Sequence, residues 1–265
     1  MSEDWDNLII LDACRFDDFQ RLVNISGTLE SRISKGTDSV KFIRNNFCGR
    51  ELHDTVYVTA NPHVRIIDDN MFHDVIDDPL SKWDESLRCV TPQSVTDSVT
   101  EYYHKYPNKR FIIHYMQPHD PPIGPTAKEI RNKVNISGPN ISDQNSGTRM
   151  MSAVADGRIS PELARKAYRE NLRIVLDEVS GLFNKLEGKT VITADHGEMF
   201  GENPYPLLGS LYEHFHHPCT LELCKVPWFV IDTGDRRRID AEAPENIDRV
   251  EDMEAEKQLE ALGYV

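Results

Sequence analysis

The sequence predicts an α/β fold: a mostly parallel sheet flanked by helices. Three observations predict it. Leu8-Ile9-Ile10-Leu11, Arg110 to Met116 and Thr190-Val191-Ile192-Thr193 are short apolar or β-branched runs without polar alternation, the pattern of strands buried on both faces. Helix-length segments carrying a 3.6-residue apolar stripe lie among them. Two of the runs stop on a carboxylate, at Asp12 and at Asp195, the position beyond a strand's carboxyl end where open α/β sheets bind ligands.

The elements follow in order. Leu8–Leu11 is a central strand, and after Asp12-Ala13-Cys14-Arg15 the segment from Phe16 to Val23 reads as a short helix. Gly27 to Ile43 is a polar turn leading into a second helix. Thr55 to Ala60 alternates as a strand and is stopped by Asn61-Pro62. Asp68 to Arg88 is acidic and irregular, with Trp83 packing on the main body. Thr91-Pro92 opens a helix to Tyr106, striped by Val95, Val99, Tyr102 and Tyr103. The strand Arg110–Met116 runs into Gln117-Pro118-His119-Asp120-Pro121-Pro122. Residues 124–157 are rich in Gly, Asn, Ser and Pro and read as a loop or lid. Ser160-Pro161-Glu162 caps a long helix to about Leu186, closed by Gly188. The strand Thr190–Thr193 leads to Asp195-His196-Gly197-Glu198, where Gly197 lets the backbone turn away and approach a ligand. A loop around Pro204 and Pro206, a histidine-rich stretch (His214, His216, His217) and the strand Val226–Ile231 follow. Residues 235–265 form a charged tail: Arg236-Arg237-Arg238 reads as a solvated turn and Val250–Leu262 as a terminal amphipathic helix. The whole, 1–265, reads as one domain.

Composition excludes several classes. A net charge of -14 disfavours nucleic acid as partner. No apolar run reaches the roughly 20 residues of a membrane span, and the acidic N-terminus lacks a signal-peptide pattern; the expected location is cytoplasmic. The 39% hydrophobic content and mean hydropathy of -0.52 suit a soluble globular chain. Five cysteines without a Cys-x-x-Cys pair are expected as free thiols. The Asn-x-Ser sequons at Asn24, Asn135 and Asn140 read as chance.

The chemistry concentrates in Asp195-His196. Asp and His suit a divalent ion of the zinc or manganese kind; standing alone, the same pair also reads as a helix cap beside a surface histidine. The segment Thr193-Ala194-Asp195-His196-Gly197-Glu198 resembles the metal-binding signature of the alkaline phosphatase/sulfatase superfamily. Three further stretches resemble it in the same chain order: Leu8 to Arg15, Gln117 to Pro121, and the histidine loop before Val226-Pro227. The resemblance implies a three-layer sandwich and one divalent ion (Mn, Zn, Mg or Ca) bound by Asp12, Asp195 and His196. Ala13 stands where many sulfatases carry a second aspartate. The sulfatase Cys/Ser-x-Pro-x-Arg pattern is absent, and no Asp with a His four places on builds a second metal site. Laid on the superfamily's nucleophile turn, Ser39 falls at the nucleophile and at the metal, with Thr37 the fallback; capping of the helix by either residue is the bland alternative. By resemblance, His119 and His217, with His214 as second choice for the latter, hold the ester's oxygens or protonate the leaving group. Arg15 supplies positive charge or forms a surface ion pair. The implied activity is a metal-dependent hydrolase or transferase acting on a phosphate or sulfate ester, small or glycan-linked. The alternative is a sulfatase-like domain without catalysis that serves as a binding or assembly module.

Overall fold

Continuous apolar runs became strands and striped segments became helices. The computed structural model describes residues 3–134, 136, 149–205, 207, 209–217, 219–232 and 234–245. In chain order the elements are β1 (Asn7–Leu11), α1 (Phe16–Leu22), β2 (Thr28–Ile33), α2 (Ser39–Asn46), β3 (Leu52–Thr59), β4 (Phe72–Ile76), β5 (Trp83–Asp84), β6 (Cys89–Val90), α3 (Pro92–Tyr102), β7 (Arg110–Tyr115), α4 (Ala127–Lys133), α5 (Met150–Ala155), α6 (Pro161–Leu182), β8 (Lys189–Ala194), β9 (Met199–Glu202), β10 (Leu211–Glu213), α7 (Leu221–Cys224) and β11 (Lys225–Asp232).

The main sheet has seven strands in the order β2-β11-β8-β1-β7-β3-β4. From β8 to β4 every pairing is parallel, while β11 runs antiparallel to both β8 and β2. Because side chains alternate across a strand, Ile9 and Leu11 of β1 face one helical layer and Leu8 and Ile10 the other. The first layer holds Phe19 of α1, Val95 and Val99 of α3, and Leu172, Val175 and Val179 of α6. The second holds Phe42 and Ile43 of α2 with Trp5, Phe47, Tyr57 and Phe72. This is the expected three-layer sandwich with a mostly parallel sheet.

Four expectations need correction. Two strands of the main sheet, β2 and β4, arise where the sequence read only turn or irregular chain. Residues 124–157 are not loop throughout: α4 and α5 pack Ile130, Met150, Met151 and Val154 against Ala164, Ala167 and Tyr168 of α6 and against Phe200. Arg236 and Arg238 are exposed as expected, but Arg237 is half-buried, and both Arg236 and Arg237 are held by partners. Arg236 pairs with Asp4 and Asp6, and Arg237 donates to the Tyr106 carbonyl at 2.8 Å with its guanidinium 4.3 Å from the Tyr103 ring centroid. Cys219 and Cys224 are joined as a disulfide, against the free thiols expected, and Cys14, Cys48 and Cys89 are free. The predicted helix Val250–Leu262 and residues 137–148 lie outside the described residues, as do Asn135 and Asn140. No described helix is long and apolar enough to cross a membrane.

Candidate functional site

Four neighbouring parallel strands deliver polar residues from their carboxyl ends. β8 runs straight into Asp195 and His196, β1 into Asp12, β7 carries His114 and leads to His119, and β3 leads to Asn61. Ser39 arrives from the opposite direction as the first residue of α2. Local chemistry fixes each approach. Asp12 N–H donates to the Tyr115 carbonyl at 3.1 Å, continuing the β1–β7 ladder one residue past the strand. Ala13 adopts φ 58°, in the left-handed region, and its N–H donates to Asp195 Oδ1 at 3.0 Å. Asp38, not Thr37 or Ser39, caps α2, its carboxylate accepting from Lys41 N–H at 2.9 Å.

Gly197 is required for a reason other than the one expected. Its N–H donates to the Leu223 carbonyl at 2.8 Å, and a Cβ there would lie 1.9 Å from the Glu222 carbonyl oxygen. The glycine lets α7, not a ligand, lie against the loop that carries Asp195 and His196.

At the centre, Ser39 Oγ donates to Asp195 Oδ2 at 2.6 Å and lies 3.2 Å from Asp12 Oδ2, which also accepts from Asn61 Nδ2 at 3.0 Å. His196 Nε2 stands 3.5 Å from Asp12 Oδ1 and 3.4 Å from Asp195 Oδ2. Asp12, Asp195, His196 and Ser39 are all buried, at most 2% exposed. Asp12 Oδ1, His196 Nε2 and His114 Nε2 are buried and have no hydrogen-bond partner among the described atoms. Unsatisfied buried groups of this kind cost about 1–3 kcal/mol each. A tetrahedral ion with bonds of about 2.0–2.1 Å sets its ligands about 3.4 Å apart, close to the spacing found. The residues therefore fit a divalent cation, bound by Asp12, Asp195 and His196 with Ser39 alongside. The electrostatics agree in sign. Burial, then the Asp195 charge, drives the Asp12 carboxyl well above its usual range, so two clustered carboxylates without a cation are unfavourable.

A second cluster adjoins the first. His119, Glu198 and His214 place ligand-type atoms within 4.8 Å of one another. The His214 ring lies 4.5 Å from that of His196 and 5.2 Å from that of His119. Burial, then the neighbouring imidazoles, keeps His119 and His214 neutral, well below the usual histidine range, and burial lifts Glu198 to about 8.

The residues singled out by sequence separate accordingly. Asp12, Ser39, Asp195 and His196 meet, and His119 and His214 join them. His217, preferred over His214 from sequence, is exposed, and no described contact brings it to the cluster; the β9–β10 pairing carries His214 inward instead. Thr37 Oγ1 donates to the His216 carbonyl at 3.2 Å, away from the two aspartates. Arg15 is buried but already engaged, paired to Asp17 and Glu202 and donating to the Glu198 carbonyl at 3.0 Å. Of its two sequence alternatives the ion pair is the one seen, with a buried guanidinium joined to the half-exposed Asp17. Asn61, His114 and Glu198 belong to the site and carried no assignment from sequence. His114 was detectable as a polar residue within an apolar strand, and Glu198 lies within the signature itself.

No protein-family model matches the chain, and no curated protein does. Solved structures do. The C-terminal periplasmic domain of phosphoethanolamine transferase EptC from Campylobacter jejuni superposes with a TM-score of 0.54 at 12% identity, covering 86% of this chain and 78% of that one. The corresponding EptC domain from Escherichia coli, in complex with Zn, gives 0.54 at 12% identity over 87% and 74%. A putative sulfatase from Bacteroides thetaiotaomicron gives 0.52 at 13% identity over 89% and 66%. The fold is that of these transferase domains and of the putative sulfatase. In this fold the cluster of Asp12, Ser39, Asp195 and His196 lies at the carboxyl edge of the parallel strands, as the sequence signature implied.

Proposed function

We propose that this protein is a metal-dependent enzyme that transfers or hydrolyses a phosphate or sulfate ester, with Ser39 as nucleophile. The observation that carries the reading is the placement of Ser39 Oγ: at the start of α2, 2.6 Å from Asp195 Oδ2 and 3.2 Å from Asp12 Oδ2. A lone capping serine has no need of two buried carboxylates. The neighbouring folds support it, being phosphoethanolamine transferases and a putative sulfatase.

Asp12, Asp195 and His196 would hold one divalent ion. Such an ion lowers the pKa of a nearby hydroxyl and offsets negative charge on an ester. The chain supplies the rest. Asp195 orients the Ser39 hydroxyl for attack on phosphorus or sulfur, and Asn61 fixes Asp12. Main-chain N–H groups at the amino end of α2 favour the ester's anionic oxygens. Ser39 loses its hydroxyl proton to solvent, its Oγ bonds to phosphorus or sulfur as the bond to the leaving oxygen breaks, and that oxygen takes up a proton. His119 and His214 are placed to deliver it. Both rings are neutral when buried, and an anionic ester between them would raise their pKa and make them donors. Water or a second alcohol then releases the group from Ser39.

The test is a panel of p-nitrophenyl phosphate, bis-p-nitrophenyl phosphate and p-nitrophenyl sulfate with Mn, Zn, Mg and Ca. Turnover on at least one ester is expected, abolished by Asp195→Ala and by chelation. Metal analysis of the purified protein should find about one tightly held ion, with melting temperature rising on its addition. A protein that binds no metal and turns over no ester would instead be the non-catalytic module.

A further inference from the structure

The two histidines of the second cluster are each next in sequence to an acid, Asp120 after His119 and Glu213 before His214. Both acids converge on one turn. Asp120 Oδ2 accepts from Met150 N–H at 3.1 Å. Glu213 Oε2 accepts from Arg149 Nη1 at 3.2 Å, and its Oε1 accepts from Ser152 Oγ. Arg149, Met150 and Ser152 form the N-cap and opening turn of α5. The His119 ring is tied to the same place, because its Nδ1 lies 3.0 Å from the Asp120 carbonyl oxygen.

Glu213 has a second peculiarity. It sits at φ 67°, in the left-handed region that a long side chain rarely occupies. It ends β10, which pairs antiparallel with β9 and sets Glu213 opposite Met199. The left-handed residue redirects the chain there, and the next side chain, His214, turns back over the signature loop. Its Nδ1 comes to 3.5 Å from Glu198 Oε2. Strain held at a site by surrounding contacts marks a residue that aims something. The clasp by Arg149 and Ser152 is what holds the side chain of this strained residue.

We infer that Glu213 is a positioning residue: clasped by the opening turn of α5, it holds the His214 ring against His119, His196 and Glu198. Asp120 does the same for His119 through the same turn. The opening turn of α5 is therefore a brace for the ester site. The catalytic meaning of the brace rests on the function proposed above; the ring geometry does not.

The discriminating variant is Glu213→Gly. Glycine accepts a left-handed φ without strain, so the fold and melting temperature should be kept within a few degrees while the clasp is lost. The His214 ring should then lose its fixed tautomer in ring-nitrogen NMR spectra and react about 10-fold faster with diethyl pyrocarbonate, and kcat on whichever panel ester is turned over should fall about 10- to 100-fold, the scale for supporting partners of site histidines. Glu213→Gln, which keeps an acceptor for Ser152, should restore most of both readouts. The double variant Arg149→Ala/Ser152→Ala should reproduce the ring change with Glu213 in place, and decides the matter if the glycine variant does not fold. A His214 ring unchanged in tautomer and reactivity in these variants would overturn the inference. If the wild type turns over no ester, the function proposed above fails, while the ring readouts still decide the role of Glu213.

Discussion

Ser39 and Thr37 lie two residues apart, and their surroundings assign them different work. Ser39 Oγ touches both aspartates, whereas Thr37 Oγ1 faces the His216 carbonyl. Ser39→Ala should lower kcat by about three orders of magnitude or more with the fold intact, since an attacking group has no substitute. Thr37→Ala should leave kcat within a few-fold, and Asp38→Ala should cost about 1 kcal/mol as a lost cap. Steady-state kinetics and urea denaturation of the three variants check this; a Thr37→Ala loss as deep as that of Ser39→Ala would reverse the assignment. Asp12, Asp195 and Ser39 were legible because each breaks a pattern, at the end of an apolar run or in a polar turn before a helix. Asn61 was not, because Asn-Pro after a strand reads equally well as a stop. His217 was preferred over His214 on position beside Pro218, and only the β9–β10 pairing shows which imidazole turns inward. A register of that kind comes from tertiary packing and has no local signal.

The elements show the same division. The β1, β7 and β8 runs were readable because strands buried on both faces need uninterrupted apolar sequence, and β3 because Thr55–Ala60 alternates. β2 was not, because Thr28–Ile33 is an edge strand with mostly exposed side chains, and polar residues satisfy it. β4 hid because its five buried residues, Phe72–Ile76, include His73 and Asp74 amid acidic flanks. Helix α6 was predicted from its apolar stripe, yet its most consequential residue for the site is polar. Asn171 is fully buried; its Nδ2 donates toward the carbonyls of Pro118, His119 and Pro121, and its Oδ1 accepts from Ile123 N–H at 2.9 Å. One side chain thus satisfies the backbone of the loop that presents His119. Asn171→Leu keeps the branched shape but strands those groups, and should cost about 2–3 kcal/mol in urea denaturation. A loss under about 0.5 kcal/mol would mean that the loop holds itself.

For the whole molecule, the concentration of buried histidines makes stability depend on pH with a definite sign. Burial, then the Arg65 charge, lowers His63 to about 4, and burial lowers His114 to about 4. In the unfolded chain a histidine titrates near its ordinary value of about 6.5. Between those two values the unfolded state binds a proton that the native state does not, so stability rises with pH. Read downward, stability is complete above about pH 6.5, drains as pH falls toward about 4, and loses nothing further from these groups below it. His63 is the better probe of the two: it is packed in the 3-10 turn Pro62–Ile66, and the Asp195 charge acts on it only as a lesser influence opposing burial. The loss attributable to it across the window is on the order of 3 kcal/mol. His63→Gln, which cannot titrate, should therefore flatten the curve of unfolding free energy against pH by about one proton between pH 4.5 and 6.5. Urea denaturation at half-unit pH steps, with chelator present throughout so that metal release does not contribute, measures both curves. Parallel curves for wild type and variant would show that His63 does not titrate differently in the folded and unfolded chain.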